Sequence, residues 1–159
     1  MAAIDKLAKP DIWRALLLSL FTLLSFHTAQ AAQADVPTAT INGNKIKLEI
    51  ADTEDKIQQG LMFRTALPDD AGMVFLFNPP RGVQFWMFNC YISLDMLFIK
   101  DGKIQKICEN VPPCKSRDPR KCPTYPEEGE IAVSEVVEVN AGYCKKHNIK
   151  EGDEIKFSF

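Results

Sequence analysis

The sequence is poor in the residues on which most hydrolytic and metal chemistry is built. It holds two histidines, and only His147 lies beyond residue 31. A Ser-His-Asp triad would have to use that one imidazole, and no Gly-x-Ser-x-Gly turn is present to carry the serine. No Gly-x-x-x-x-Gly-Lys occurs, which removes a P-loop, and no Cys-x-x-Cys pair occurs, which removes the usual signature of structural zinc. Positive charge is not in excess either: 19 Lys and Arg face 21 Asp and Glu, a net charge of −2. That balance gives no electrostatic footprint for a nucleic acid or an anionic membrane, and no nucleic-acid partner is expected. The short basic runs at 100–106 and 115–121 read as solvated loops. The main apolar run, Ala15 to Phe26, is shorter than the roughly 20 residues that a spanning helix needs.

What that run does fit is a leader. Lys6, Lys9 and Arg14 precede or open it, and Ala29-Gln30-Ala31 and Ala32-Gln33-Ala34 follow as small-x-small cleavage sites. The expectation is a signal peptide over 1–31, or 1–34 with the second site. The alternative is an uncleaved signal anchor. No cysteine follows either site, so no lipid anchor is expected. The protein is therefore read as periplasmic or extracellular, touching a membrane only through this transient segment. Residues 35–159 would form a single domain, with net charge near −3 once the leader's three basic and two acidic residues are gone.

All five cysteines lie in that domain: Cys90, Cys108, Cys114, Cys122 and Cys144. An oxidising compartment favours bridges. Cys114 and Cys122 are the closest pair, inside a loop that needs bracing, and are the expected disulfide. Cys108 with Cys144 is a second candidate, which would leave Cys90 free.

Asn42-Gly43-Asn44 marks a hairpin turn, and 45–50 alternates polar and apolar as a half-buried strand does. Asp52 or Thr53 can cap a short helix in which Ile57 and Leu61 share a face. Met73–Phe77 reads as a strand covered on both sides, broken by 78–82. Strands are expected over 83–89, 96–100 and 103–107, the last two joined by Asp101-Gly102. Residues 109–130 carry five prolines and no periodicity, so they form a Pro/Cys-rich loop. Strand 131–139, a short helix near 140–148 and a last strand over 155–159 follow. The fold class is mainly β, bordering on α+β: a compact β-sandwich or barrel-like domain with two short helices.

Several blocks occur in an order that resembles a known family. They are Ala51-Asp52-Thr53 with Gly60-Leu61-Met62-Phe63-Arg64, then Gly72-Met73-Val74-Phe75. Phe85-Trp86-Met87-Phe88-Asn89 with Leu94-Asp95 comes next, and Val137-Glu138-Val139-Asn140-Ala141-Gly142 with Gly152-Asp153 closes the set. Together they resemble the DUF192 domain, a bacterial and archaeal family of unknown function. The resemblance implies a compact, mostly β fold and no catalytic residue. Phe88 stands where the family usually has lysine, and Cys90 where it usually has threonine.

The stretch FWMFNCYISLD, residues 85–95, carries the main question. One reading is a central strand buried on both faces. The other is that Asn89 and Asp95 meet Arg64 at the rim of an apolar pocket walled by Trp86, the usual makeup of a small-ligand site. Asp95 would then either bind, or pair with Arg64 to lock the loop ends. The leading expectation is an exported binding or accessory domain whose ligand-binding residues are Arg64, Trp86, Asn89 and Asp95. Its partner would be a small molecule or an envelope protein. The alternatives are a cell-envelope enzyme using Asp95 as acid or base with Arg64 orienting substrate, and a purely structural domain. Met62, Met73, Met87 and Met96 are thioethers suited to Cu(I), but their wide spacing fits core filling better. Cys144 and His147 make only two ligands. No metal and no cofactor are expected.

Overall fold

The computed structural model describes residues 35–159, so the expected leader lies outside the described residues. Among the described residues there are nine strands: β1 (Thr38–Ile41), β2 (Asn44–Ala51), β3 (Ala71–Val83), β4 (Phe85–Trp86), β5 (Leu94–Lys100), β6 (Lys103–Val111), β7 (Thr124–Tyr125), β8 (Ile131–Asn140) and β9 (Ile155–Ser158). Two short helices accompany them, α1 (Glu54–Gln59) and α2 (Tyr143–Lys146), with a 3-10 turn over Pro119–Lys121. Seven strands form one sheet in the order β6-β5-β8-β3-β2-β1-β9, and β4 pairs with β7 in a separate ribbon. All neighbours are antiparallel except β2 and β3. The crossover between those two contains α1, as a parallel connection requires.

The sheet curls until its two edges meet at one end. Lys103 opening β6 bridges Glu154 before β9, and Ile104 N–H donates to the Asp153 carbonyl at 3.0 Å. The result is a curled half-barrel, the mainly β domain with two short helices that the sequence implied. Asn42 and Gly43 make the first turn at φ 50° and 79°, the left-handed pair that a tight hairpin demands. Gly72 has a different reason. A Cβ there would lie 2.5 Å from the Glu138 carbonyl on β8, so only glycine lets β3 and β8 approach at this point.

Strand alternation sorts the apolar side chains into two cores. The face enclosed by the curl holds Ile41, Ile46, Leu48, Val74, Leu97, Ile99, Val137 and Val139, sealed by Tyr143 and Cys144 of α2. The opposite face holds Met73, Phe75, Phe77, Met87, Met96 and Phe98, covered by Ile57 of α1 and by Phe85 of β4. Met73, Met87 and Met96 are buried there, with Met62 packed against them, and act as apolar filling.

The two cores also decide the cysteines. Cys114 and Cys122 form a disulfide, while Cys90, Cys108 and Cys144 are free. The Cys108–Cys144 pair is corrected for a geometric reason. Cys108 packs on the outer core and Cys144 in the enclosed one, so the sheet separates them.

Local readings are corrected at two places. Residues 78–82 do not break the strand; β3 runs on to Val83, with a register shift against β8 between Leu76 and Arg81 that absorbs the prolines. Residues 85–95 are not one central strand. Phe85 and Trp86 pair with β7, and Leu94 and Asp95 open β5; the residues between leave the sheet through a turn in which Cys90 N–H donates to the Met87 carbonyl at 3.3 Å.

Candidate functional site

The first residues of the site come from α1. Thr53 caps this helix, its hydroxyl accepting from Lys56 N–H, and Glu54 and Asp55 sit in the first turn, where the helix dipole favours acids. The helix lies over the outer core and presents Asp55, Gln58 and Gln59 to one side. Met62 follows on the next turn. Phe63 N–H donates to the Asn89 carbonyl at 2.8 Å, so the segment after α1 is clasped to the turn after β4.

Trp86 is positioned by the Pro/Cys-rich segment. β4 pairs Phe85 with Tyr125 and Trp86 with Thr124. Cys114 N–H donates to the Met87 carbonyl at 3.1 Å. The Cys114–Cys122 bridge then closes around the 3-10 turn, which Asp118 caps through Arg120 N–H, and Pro119 of that turn faces the tryptophan cleft. The loop is therefore ordered into a wall. Trp86 stays 37 % exposed and tilts against Phe88, with ring centroids 5.7 Å apart.

Between these walls lies a cleft of about 440 Å³, lined by Asp55, Gln58, Gln59, Met62, Trp86, Phe88 and Pro119. A much smaller hollow of about 30 Å³ shares Gln58, Gln59, Met62 and Trp86 with it and is lined at depth by Phe75, Cys90 and Glu138. Glu138 is the unexpected residue. It sits on β8 opposite Met73 of β3 and Met96 of β5, and is 4 % exposed. Burial alone pushes its carboxyl up to about 8, with no cation or hydrogen bond opposing. The Cys90 thiol beside it is pushed up to about 12 by burial and by the Glu138 charge.

A model of the DUF192 family, described as "Uncharacterized ACR", matches residues 37–157. The chain belongs to this family. The solved structures similar to it include two bacterial proteins. A protein of unknown function from Novosphingobium aromaticivorans DSM 12444 is 34 % identical, with a TM-score of 0.64 over 76 % of this chain and 83 % of its own. A Sinorhizobium meliloti 1021 protein, provisionally named a transcription regulator, is 33 % identical, with a TM-score of 0.64 over 76 % and 91 %. No curated protein matches.

In this DUF192 domain the four residues picked from the sequence do not converge. Trp86 lines the cleft; Arg64, Asn89 and Asp95 are not among its lining residues. Arg64 forms a two-pronged ion pair with Glu49 of β2, Nη2 lying 2.7 Å from Oε2, and this holds the Glu49 carboxyl below its ordinary range. Asn89 takes φ 58°, and its carbonyl receives Phe63 N–H; an asparagine tolerates that left-handed turn position.

Asp95 is fully buried, and its carboxylate accepts from Asn110 N–H at 2.8 Å, Gly142 N–H at 3.0 Å and Cys144 N–H at 2.9 Å. It faces the enclosed core, whereas Arg64 lies on the α1 side of the sheet, so the Arg64–Asp95 pair, one of the two readings of these residues, does not form. An acid or base at Asp95 would need an open approach, and the residue has none. Sequence reasoning missed Glu138, although it lies within one of the family blocks. Its signal was a lone acid in Val136-Val137-Glu138-Val139, an otherwise apolar stretch of a strand buried on both faces.

Proposed function

We propose that this protein is a small exported binding domain whose ligand lies in the Trp86 cleft. The observation that carries the reading is the cleft itself. Met62, Trp86, Phe88 and Pro119 give it apolar walls, and Gln58, Gln59 and Asp55 give it a few polar groups. The elements around it are spent on holding it open. The β4–β7 ribbon, the disulfide and the Phe63–Asn89 clasp each fix one wall. A wall tied down in advance lowers the ordering cost of binding. Export is supported by the leader-like N-terminus and by the Cys114–Cys122 bridge, which persists in oxidising compartments.

The test is a titration of the isotope-labelled protein with 1-pentanol, a neutral apolar probe, followed by NMR. Shifts are expected at Met62, Trp86 and Phe88, and Trp86→Ala should weaken binding by about tenfold, near the 1.4 kcal/mol that partial loss of an aromatic wall represents. Shifts scattered over the surface, or binding untouched by Trp86→Ala, would remove the cleft as the site.

A further inference from the structure

The hollow behind Trp86 adds a polar floor to an otherwise apolar cleft. Glu138 is more than nine-tenths buried there, and desolvation is the sole influence acting on its carboxyl. No protein donor reaches it, and among the described residues no wholly enclosed side-chain oxygen is left unpaired, so the carboxyl oxygens open onto the hollow. A carboxyl so far out of water without a partner is costly, and most such groups in folded proteins are partnered. The groups facing it do not supply a partner charge. β3 and β5 bring Met73 and Met96, α1 brings Ile57, Gln58 and Gln59, and β4 brings Phe85 and Trp86. Cys90 is the other titratable group lining the hollow, and its high-lying thiol stays neutral at physiological pH.

We propose that this hollow receives the primary ammonium group of a ligand whose apolar chain lies along the Trp86 cleft. The inference rests on the binding reading above and names the ligand class. Three observations converge on it. The hollow, at about 30 Å³, has room for a group the size of a water molecule, which an ammonium is and a guanidinium or quaternary ammonium is not. The charged residues lining cleft and hollow are Asp55 and Glu138, both acids, with no lysine or arginine among the lining residues. Trp86 and Phe88 offer aromatic faces, which attract cations. On entry of the ammonium, Glu138 releases its proton to solvent and the two charges pair. No other bond changes.

The experiment compares 1-pentylamine with 1-pentanol on the full chain, by NMR titration between pH 6 and 9. Pentylamine should bind at least tenfold more tightly than pentanol at pH 8.5. Its affinity should fall about tenfold per pH unit below the Glu138 midpoint, while pentanol stays flat. Glu138→Gln should remove the excess and the pH dependence together, and a urea melt of the variant checks that it is folded. Nα-acetyl-lysine methylamide serves as a second probe: tighter binding than pentylamine assigns the ammonium to a peptide lysine, weaker binding to a free amine, and either supports the class. Pentanol binding with no pentylamine excess overturns the ammonium assignment and leaves the cleft standing. Binding of neither probe overturns both.

Discussion

Replacing Asp95 tests whether a buried acid in the most recognisable motif braces the fold or performs chemistry. Its Oδ1 accepts from Asn110 and Gly142 N–H, and its Oδ2 from Cys144 N–H. These bonds tie β5 to the far end of its hairpin partner β6 and to the start of α2, which lies 47 residues further along the chain. Hydrogen bonds to a charged group contribute about 1.5–3 kcal/mol each, and they are not additive. Removing a buried charged partner usually destabilises by about 3–5 kcal/mol, and that range is expected for Asp95→Ala.

Asp95→Asn should be milder, about 2–3 kcal/mol, because the amide keeps one oxygen for two donors and turns an NH2 toward the third. Urea denaturation of the full chain at pH 7 reads both values. At about 3–5 °C per kcal/mol, the alanine variant should melt about 10–25 °C lower. The order Ala worse than Asn worse than wild type is the signature of bracing. An alanine variant within about 1 kcal/mol of wild type would refute the reasoning, since three orphaned buried N–H groups cannot be that cheap.

Glu138 predicts an inverted pH effect. Its folded carboxyl sits near 8 against an ordinary value of 4.5, so the folded state holds a proton that the unfolded chain has lost. Its contribution is fully present below about pH 4.5 and disappears as pH rises through about 8, and Glu138→Gln should gain on wild type across that window by on the order of a few kcal/mol in parallel urea melts. A constant difference between the two proteins would contradict the buried-acid description. The Cys114–Cys122 bridge spans eight residues, so the double serine variant should lose about 2–3 kcal/mol, read from the same melts. Intact mass of protein recovered from the periplasm should match a chain starting at Ala32 or Asp35 less two protons; a retained residues 1–31 would contradict cleavage. Arg64→Ala should move stability by less than about 1 kcal/mol, because the Arg64 and Glu49 side chains are 34 % and 52 % exposed; a larger loss would give the pair a role beyond the surface.

Much of the fold was legible in the chain because it is written in local rules. Asn42-Gly43 and Asp101-Gly102 specify hairpins by their tolerance of positive φ, and the alternation at 45–50 specifies a strand with one buried face. The Cys114–Cys122 pairing followed from closeness in sequence alone. The family blocks were legible too, whereas residues 85–95 carried two readings, a buried central strand and a pocket walled by Trp86, between which the sequence did not choose.

Which side of a sheet a residue faces, and what lies across it, belongs to another level. The sequence placed Arg64 and Asp95 in neighbouring motifs, but strand parity turned Asp95 into the enclosed core, while the segment after α1 carries Arg64 on the outer side beside Glu49. Parity along β6 turned Cys108 to the outer core, away from Cys144 of α2 in the enclosed one, and parity along β8 carried Glu138 to the floor of a hollow behind Trp86. By itself, then, the sequence determined strands, turns and the nearest disulfide, since those depend on residues a few positions apart. The tertiary structure alone decided which polar groups share a space, because side-chain direction alternates at every residue and partners are chosen by sheet order across long separations.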